Sequence, residues 1–188
     1  LLNLDPISHI IIDGTDVIRY ENDNDFRNGD TGFPSQGFAV SLDGLPGLNQ
    51  NDNFATMFVG VLDVTTGNLT YINAGHEPPI ILTAAGEIVM LRPTGPAVGL
   101  LPKMNFISRQ VQLETDDTLI AFTDGVTEAT SPAEEILGRE RLQSCLRKRY
   151  PSAADVIDHI KRVTFEHLDS APQNDDITLL CVRRKTVN

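Results

Sequence analysis

The sequence predicts an α+β protein in which short strands dominate the middle of the chain and helices the C-terminal third. Between residues 54 and 113, apolar segments recur roughly every ten residues and are separated by Gly-containing turns, a spacing typical of antiparallel sheets. After residue 138 the apolar residues follow a helical period, until a last apolar run near the C-terminus. We therefore expect an antiparallel sheet system with helices packed on it.

Composition limits the classes of partner. The chain has 188 residues, enough for one domain with a sizeable core, and a net charge of −11. That charge argues against nucleic acids and anionic membranes as partners, because both attract an excess of Lys and Arg. No apolar run approaches the roughly 18 residues that a membrane span needs. We expect no membrane contact by this domain.

The two cysteines and the N-terminus suggest the cellular context. Cys145 and Cys181 lie in or near apolar patterns and lack the spacing of metal ligands, which indicates buried, reduced thiols in a cytoplasmic protein. The first residues carry acids and no basic start, so they do not predict a secretory signal. Because the chain begins with Leu, we expect a piece of a longer protein.

The first 53 residues differ from the rest of the chain in composition and in the pattern of apolar residues. Residues 8–12 form an apolar run that predicts a strand, and Asp13 follows it with Gly14 in a tight turn before a second short strand at 17–20. Residues 21–53 are rich in Gly, Asn and Asp, which predicts a long loop or an insertion. We divide the chain into this N-terminal part, 1–53, and a core domain, 54–188.

The middle of the chain predicts two hairpins and a further strand. Gly67 and Gly86 stand where a hairpin turn needs positive φ. The strands are expected at Phe54–Leu62 with Leu69–Ala74, at Pro79–Thr83 with Ile88–Leu91, and at Phe106–Leu113.

Two helices are predicted between the last two strands. The first runs from Arg139 to Tyr150 and is stopped by Pro151. Ser152 begins the second, with Asp155 at the capping-box position. The buried face of this second helix is expected to contain Ile157, Ile160, Thr164 and Leu168.

Carboxylates stand at the ends of the two C-terminal strands. Asp124 follows the apolar run 118–122, and Asp175 and Asp176 precede the run 177–182. A strand end is a rigid mount, and Mg²⁺ and Mn²⁺ prefer charged oxygen ligands. Two such acids, about fifty residues apart, are a common way to build a hard-cation site. The alternative is that both acids are only turn residues.

Five motifs occur in order along the chain. They are Phe54-Ala55-Thr56-Met57-Phe58-Val59-Gly60-Val61-Leu62-Asp63, Tyr71-Ile72-Asn73-Ala74-Gly75-His76-Glu77-Pro78-Pro79, Gly95-Pro96-Ala97-Val98-Gly99-Leu100, Thr123-Asp124-Gly125-Val126-Thr127-Glu128-Ala129 and Asn174-Asp175-Asp176-Ile177-Thr178-Leu179-Leu180. Together they closely resemble the bacterial branch of the metal-dependent protein phosphatases (PPM), the sporulation and stress-response, SpoIIE-like serine phosphatases.

This resemblance implies a fold, a reaction and partners. The fold would be an α-β-β-α sandwich of two mainly antiparallel sheets with a site for two Mn²⁺ or Mg²⁺ ions at one edge. The reaction would be hydrolysis of phosphoserine or phosphothreonine on a regulatory protein of the anti-sigma-factor-antagonist type. An upstream sensor or receiver domain would precede this domain in the full-length chain.

The resemblance also assigns residues. Asp124 matches the metal-binding Asp of the family's Thr-Asp-Gly motif, and Asp175 matches the ligand that opens the Asp-Asp-x-Thr motif. The resemblance places Asp176 as a residue that orients the backbone or the ligands. His76 either contacts the phosphate or substrate, or hydrogen-bonds locally in its turn.

The chain departs from the family in its first metal motif. The family's run Gly-Asp-Val-Ser-Gly-x-Gly, which supplies an Asp that bridges both metals, is absent. Asp13 is one stand-in, because it follows an apolar strand; the alternative is a hairpin turn. Two functions therefore remain: an active Mn/Mg-dependent phosphatase, or a weak or inactive phosphatase-like binding module.

Overall fold

The computed structural model describes residues 9–13, 54–100 and 106–185, with residues 9–13 as backbone. These residues fall into two compact units. The first unit contains residues 76–92 and 112–185. The second unit contains the described residues of 9–75 and 93–111. The fold class α+β is confirmed, because each unit is built on a mainly antiparallel sheet and the first unit also carries the helices.

The sheet of the second unit has the strand order β1-β2-β3-β6. Its strands are β1 (His9–Asp13), β2 (Met57–Asp63), β3 (Asn68–Ala74) and β6 (Arg109–Gln112). The predicted hairpin of β2 and β3 is confirmed, and Gly67 adopts a φ of 82° in its turn. β1 pairs with β2 in parallel, so this sheet is not purely antiparallel.

The sheet of the first unit has the strand order β5-β4-β7-β8. Its strands are β4 (Ile80–Leu82), β5 (Ile88–Met90), β7 (Thr118–Phe122) and β8 (Leu179–Arg183), all paired antiparallel. The second predicted hairpin is therefore also confirmed. β7 lies between two partners, and all five of its residues are buried. An acid that follows β7 is consequently mounted on the core of this unit.

Three helices belong to the first unit: α1 (Asp124–Thr127), α2 (Arg139–Leu146) and α3 (Ala153–Leu168). Ser152 caps α3 as predicted, since its Oγ accepts a hydrogen bond from the Asp155 amide at 3.2 Å. The helices and the sheet share one apolar core, whose buried residues are Ile80, Leu82, Ile120, Phe122, Val126, Leu142, Leu146, Val156 and Ile160.

Three details of the first unit differ from the sequence predictions. α2 ends at Leu146, four residues before Tyr150, because the chain turns back there and the Lys148 amide donates to the Leu146 carbonyl. On α3 the buried residue is Val156, while Ile157 is only half-buried. Cys145 and Cys181 are free thiols, but both are half-buried rather than buried.

Several expectations fall outside the described residues. These are the turn at Gly14, the strand at 17–20 and the loop at 21–53, so the division at residue 53 stays a prediction. Among the residues that the structure describes, no helix has the length and apolar character needed to cross a membrane.

Candidate metal centre

The two acidic segments meet at the side chain of Thr123. Its hydroxyl donates to the Asp176 carbonyl at 2.7 Å and accepts from the Thr178 amide at 2.9 Å. The Thr123 amide donates in turn to the Thr178 carbonyl at 3.1 Å. These bonds tie the end of β7 to the start of β8 across more than fifty residues of sequence. Asp124 and Asp175 are thereby carried by adjacent segments.

Gly125 allows the two segments to lie so close together. A Cβ atom at this position would stand 2.5 Å from the carbonyl oxygen of Asp176 and 3.4 Å from the carbonyl carbon of Asp175. Real Cβ atoms do not approach backbone that closely, so the contact requires glycine. This close contact explains why the residue after Asp124 in the Thr-Asp-Gly motif is glycine.

Both carboxylates face solvent. Asp124 and Asp175 are exposed, and one Asp175 carboxylate oxygen accepts from the Asp176 amide at 2.7 Å. Asp124 is the first residue of α1, and the N-cap Thr123 makes no side-chain cap because its hydroxyl is used between the segments. A carboxylate in the first turn of a helix suits the helix dipole. Both acids therefore remain accessible to a cation.

His76 precedes Glu77 in the segment that leads to β4 and is buried, with 4% of its surface exposed. Burial lowers the pKa of His76, while the charges of Asp124 and Glu77 oppose that shift. The role of His76 toward phosphate or substrate stays a prediction.

An ion pair that the sequence did not predict stands next to His76. Glu77, whose side chain is 6% exposed, accepts two hydrogen bonds of 2.6 Å from the Nε and Nη2 groups of Arg139. The pair joins the segment before β4 to the first residue of α2. The sequence could have indicated that Glu77 needs a cationic partner, because a buried acid is usually paired. It could not identify that partner, since Arg139 lies 62 residues away.

The donor chemistry of the site fits Mn²⁺ or Mg²⁺. Two exposed carboxylates on adjacent segments are hard oxygen ligands, and Mg²⁺ is often held by one or two carboxylates together with water. Within the described residues, no group of three or more His, Cys, Asp or Glu side chains is arranged to hold a metal. Asp13, at the end of β1, belongs to the other unit, so its metal role stays a prediction.

Known proteins are similar to this chain in sequence. The chain matches the family described as stage II sporulation protein E (SpoIIE) over residues 36–185. Protein IcfG of Synechocystis sp. is 44% identical over 131 residues, which cover 70% of this chain and 21% of IcfG. Phosphoserine phosphatase RsbU of Bacillus subtilis is 28% identical over 135 residues, 70% of this chain and 39% of RsbU. The chain therefore spans well under half the length of either relative.

Solved structures agree. The RsbU and RsbW domains of Rv1364c from Mycobacterium tuberculosis match 76% of this chain and 38% of that one, with a TM-score of 0.55 and 30% identity. The phosphatase domain of SpoIIE from Bacillus subtilis (Mn presoaked) matches 71% of this chain and 58% of that one, with a TM-score of 0.56 and 16% identity, which supports the fold alone. The family resemblance is thus confirmed, and the chain belongs to the SpoIIE family of PP2C-like, metal-dependent protein phosphatases.

Proposed function

We propose that this chain is a Mn²⁺- or Mg²⁺-dependent phosphatase domain that hydrolyses phosphoserine or phosphothreonine on a regulatory protein. The observation that carries the proposal is the junction at Thr123, which places the exposed acids Asp124 and Asp175 on adjacent segments. The relative RsbU, which is named a phosphoserine phosphatase, supports the reaction class. By analogy, the substrate is a protein of the anti-sigma-factor-antagonist type.

The chain's own residues would divide the work. Asp124 and Asp175 would hold the cation, of which two are expected in a complete site. When bound, the cation supplies Lewis acidity and neutralises charge on the phosphoryl oxygens. Thr123 and Gly125 keep the two acids at a fixed separation through the hydroxyl bridge and the close backbone contact. His76, whose lowered pKa favours the neutral ring, adds no positive charge beside Asp124.

The proposal is tested by turnover of p-nitrophenyl phosphate and of a phosphoserine peptide in millimolar Mn²⁺. We expect D124N and D175N each to lose more than about 100-fold in kcat/KM, because each removes one of few charged ligands. The matched control is D158N, the same change at an exposed acid of α3. Absence of turnover in the wild-type chain with both metals would overturn the proposal.

The alternative is a phosphatase-like binding module with little or no activity. It is favoured by one sequence observation, the missing Gly-Asp-Val-Ser-Gly-x-Gly run. Such a module would bind a phosphoserine peptide without cleaving it, and D124N would leave binding unchanged. Peptide binding by fluorescence anisotropy, measured beside turnover, separates the two functions.

The cellular setting follows from the proposed substrate. A regulatory phosphoprotein of this type places the domain in the cytoplasm, and the relatives' greater length is consistent with an additional sensor or receiver domain in the full protein. The acidic charge makes nucleic acid an unsuitable partner.

A further inference from the structure

A cavity of about 420 Å³ opens beside the candidate metal centre. Asp175 and Gly125 belong to its lining, so the cavity and the acidic site share residues. Its volume lies in the range of about 300–1,000 Å³ that is usual for binding pockets. A molecule held at Asp175 would therefore extend naturally into this space.

Part of the cavity lining is apolar. Ala129 and Leu168 are buried there, and Ile177 is half-buried. Ile136 also lines the cavity, and 63% of its surface is exposed. An isolated exposed Ile needs no explanation, but one that extends the apolar wall of a cavity enlarges the area available for contact.

The segment that carries Ile136 is fixed by hydrogen bonds on both sides. The Leu137 amide donates to the Ala129 carbonyl at 2.8 Å, and residues 130 and 136 form a β-bridge. His167 of α3 donates from Nε2 to the Glu135 carbonyl at 2.8 Å. Ile136 is consequently presented on a pre-organised surface, which reduces the entropy lost when a ligand binds.

The cavity lining also contains two exposed acids. Glu128, which follows α1, is exposed and lines the cavity together with Asp175. Arg139 lies near enough for its pKa to be raised by the charge of Glu128, but its two short hydrogen bonds go to Glu77. The Glu128 carboxylate is therefore available to a basic side chain of a ligand.

We propose that this cavity binds the residues that flank the phosphorylated Ser or Thr of the protein substrate. An aliphatic side chain would pack against Ile136, and a Lys or Arg would face Glu128. An extended peptide advances about 3.3–3.6 Å per residue, so residues one to three positions from the phosphoserine reach the cavity when the phosphoryl group lies at Asp175. This inference rests on the proposed function and adds its substrate specificity.

The test uses the chain in Mn²⁺ with short phosphoserine peptides that carry either Leu or Ser, and either Lys or Glu, at each flanking position. The wild-type chain is expected to prefer Leu over Ser and Lys over Glu at one or two of these positions. I136A should reduce the Leu preference about tenfold, which is the discrimination that small changes in apolar contact provide. E128K should invert the preference between Lys and Glu. V89A, at an exposed apolar residue of β5 that does not line the cavity, should keep both preferences.

The outcomes separate this inference from the proposed function. If the chain hydrolyses p-nitrophenyl phosphate and the peptides but shows no flanking preference, or if I136A and E128K keep the wild-type preference, the docking site is overturned and the phosphatase stands. If I136A lowers turnover of p-nitrophenyl phosphate and all peptides by the same factor, the cavity supports the site without selecting substrates, which also overturns the inference. If nothing is hydrolysed with either metal, the proposed function fails and the docking site with it.

Discussion

Gly125 occupies a position where a methyl group has no room. We expect G125A to push the backbone of Asp175 and Asp176 away, because the contacted atoms belong to the main chain and cannot rotate aside. The cost in free energy of unfolding should be about 1–2 kcal/mol, typical of modest overpacking. Mn²⁺-dependent turnover should fall far more than stability does, since the spacing of the two acids changes. Urea unfolding and p-nitrophenyl phosphate kinetics measure the two effects.

G138A is the matched control for that substitution. Gly138 has a φ of 75°, and a Cβ there meets nothing within 4 Å. The Ala variant should therefore lose a similar free energy through backbone strain alone, of about 1–3 kcal/mol, without moving the Asp175 segment. Equal loss of turnover in both variants would show that reduced stability, rather than the spacing of the acids, explains the effect.

Single residues differed in how far the sequence could place them. Asp124 and Asp175 could be selected because each adjoins an apolar strand, and the segments that carry them do meet. The structural role of Thr123 could not be predicted. Its hydroxyl hydrogen-bonds to residues more than fifty positions away, whereas its place in the sequence resembles that of an ordinary helix N-cap. The burial of His76 was equally hidden, since a His in a Gly-containing turn is usually exposed.

The ion pair between Glu77 and Arg139 links the segment before β4 to the start of α2. Removing Arg139 leaves a buried carboxylate without its cation, so we expect R139A to lower the free energy of unfolding by about 2–3 kcal/mol, the range for hydrogen bonds to charged groups. R139K should recover part of this, because one ammonium group cannot make both bonds. Urea unfolding at neutral pH provides the measurement.

A second ion pair of the same unit controls for the loss of an arginine. Arg147 and Glu87 approach to 3.6 Å and both are exposed. Exposed pairs contribute little, so R147A should change the free energy of unfolding by less than about 1 kcal/mol. If R139A were as mild as R147A, the buried pair would not be a structural link.

His159 connects α3 to the end of α2 and gives stability a dependence on pH. Its Nε2 donates to the Cys145 carbonyl at 3.2 Å, and Nδ1 accepts from Arg162 at 2.8 Å, which fixes a neutral ring. Burial lowers the pKa of His159 below its ordinary value of 6.5, and Lys148 and Arg162 lower it further. Below about pH 6.5 the unfolded chain therefore binds a proton that the folded chain does not, so stability falls as pH falls.

The H159Q variant tests that linkage. Gln can still donate to a carbonyl and accept from a guanidinium but does not titrate. Its free energy of unfolding should decline less steeply than that of the wild type between about pH 7 and pH 5. The slope should not vanish, because burial also lowers the pKa of His76. Identical slopes in the two proteins would exclude His159 as a source of the pH dependence.

Elements were predicted well where local signals fix them. The hairpin turns contain glycines with positive φ, and β7 begins and ends at the predicted residues, because its apolar run is bounded by polar residues on both sides. α2 ends early for a reason that is not local. Residues 147–150 turn away, and Arg183 on β8 donates to the Tyr150 carbonyl at 2.6 Å. No periodicity within the segment could reveal that partner.

At the scale of the whole molecule, the position of a segment in the sequence does not decide which of the two units it belongs to. Residues 93–111 follow the second hairpin in sequence but belong to the unit of the first hairpin. Apolar spacing can predict each strand, yet it cannot assign strands to sheets, because every run satisfies the same pattern. The resemblance to the family was needed for the expectation of two separate sheets, which the pattern alone left open.

Metal binding at the candidate centre should be measurable as a gain in stability of the whole chain, because the ion binds the folded state. A ligand that binds only the folded state at 100 times its Kd stabilises it by about 2.7 kcal/mol, which for a chain of this size raises the Tm by roughly 5–10 °C. We expect that rise with Mn²⁺ in the wild type and D158N, and not in D124N. Without metal, D124N should be as stable as the wild type or slightly more so, because one of several neighbouring like charges is removed. The measurement is differential scanning fluorimetry at constant ionic strength, which separates binding at the site from general screening. An equal rise in D124N and the wild type would place the bound ion elsewhere on the acidic surface, and Asp124 would then have no part in holding it.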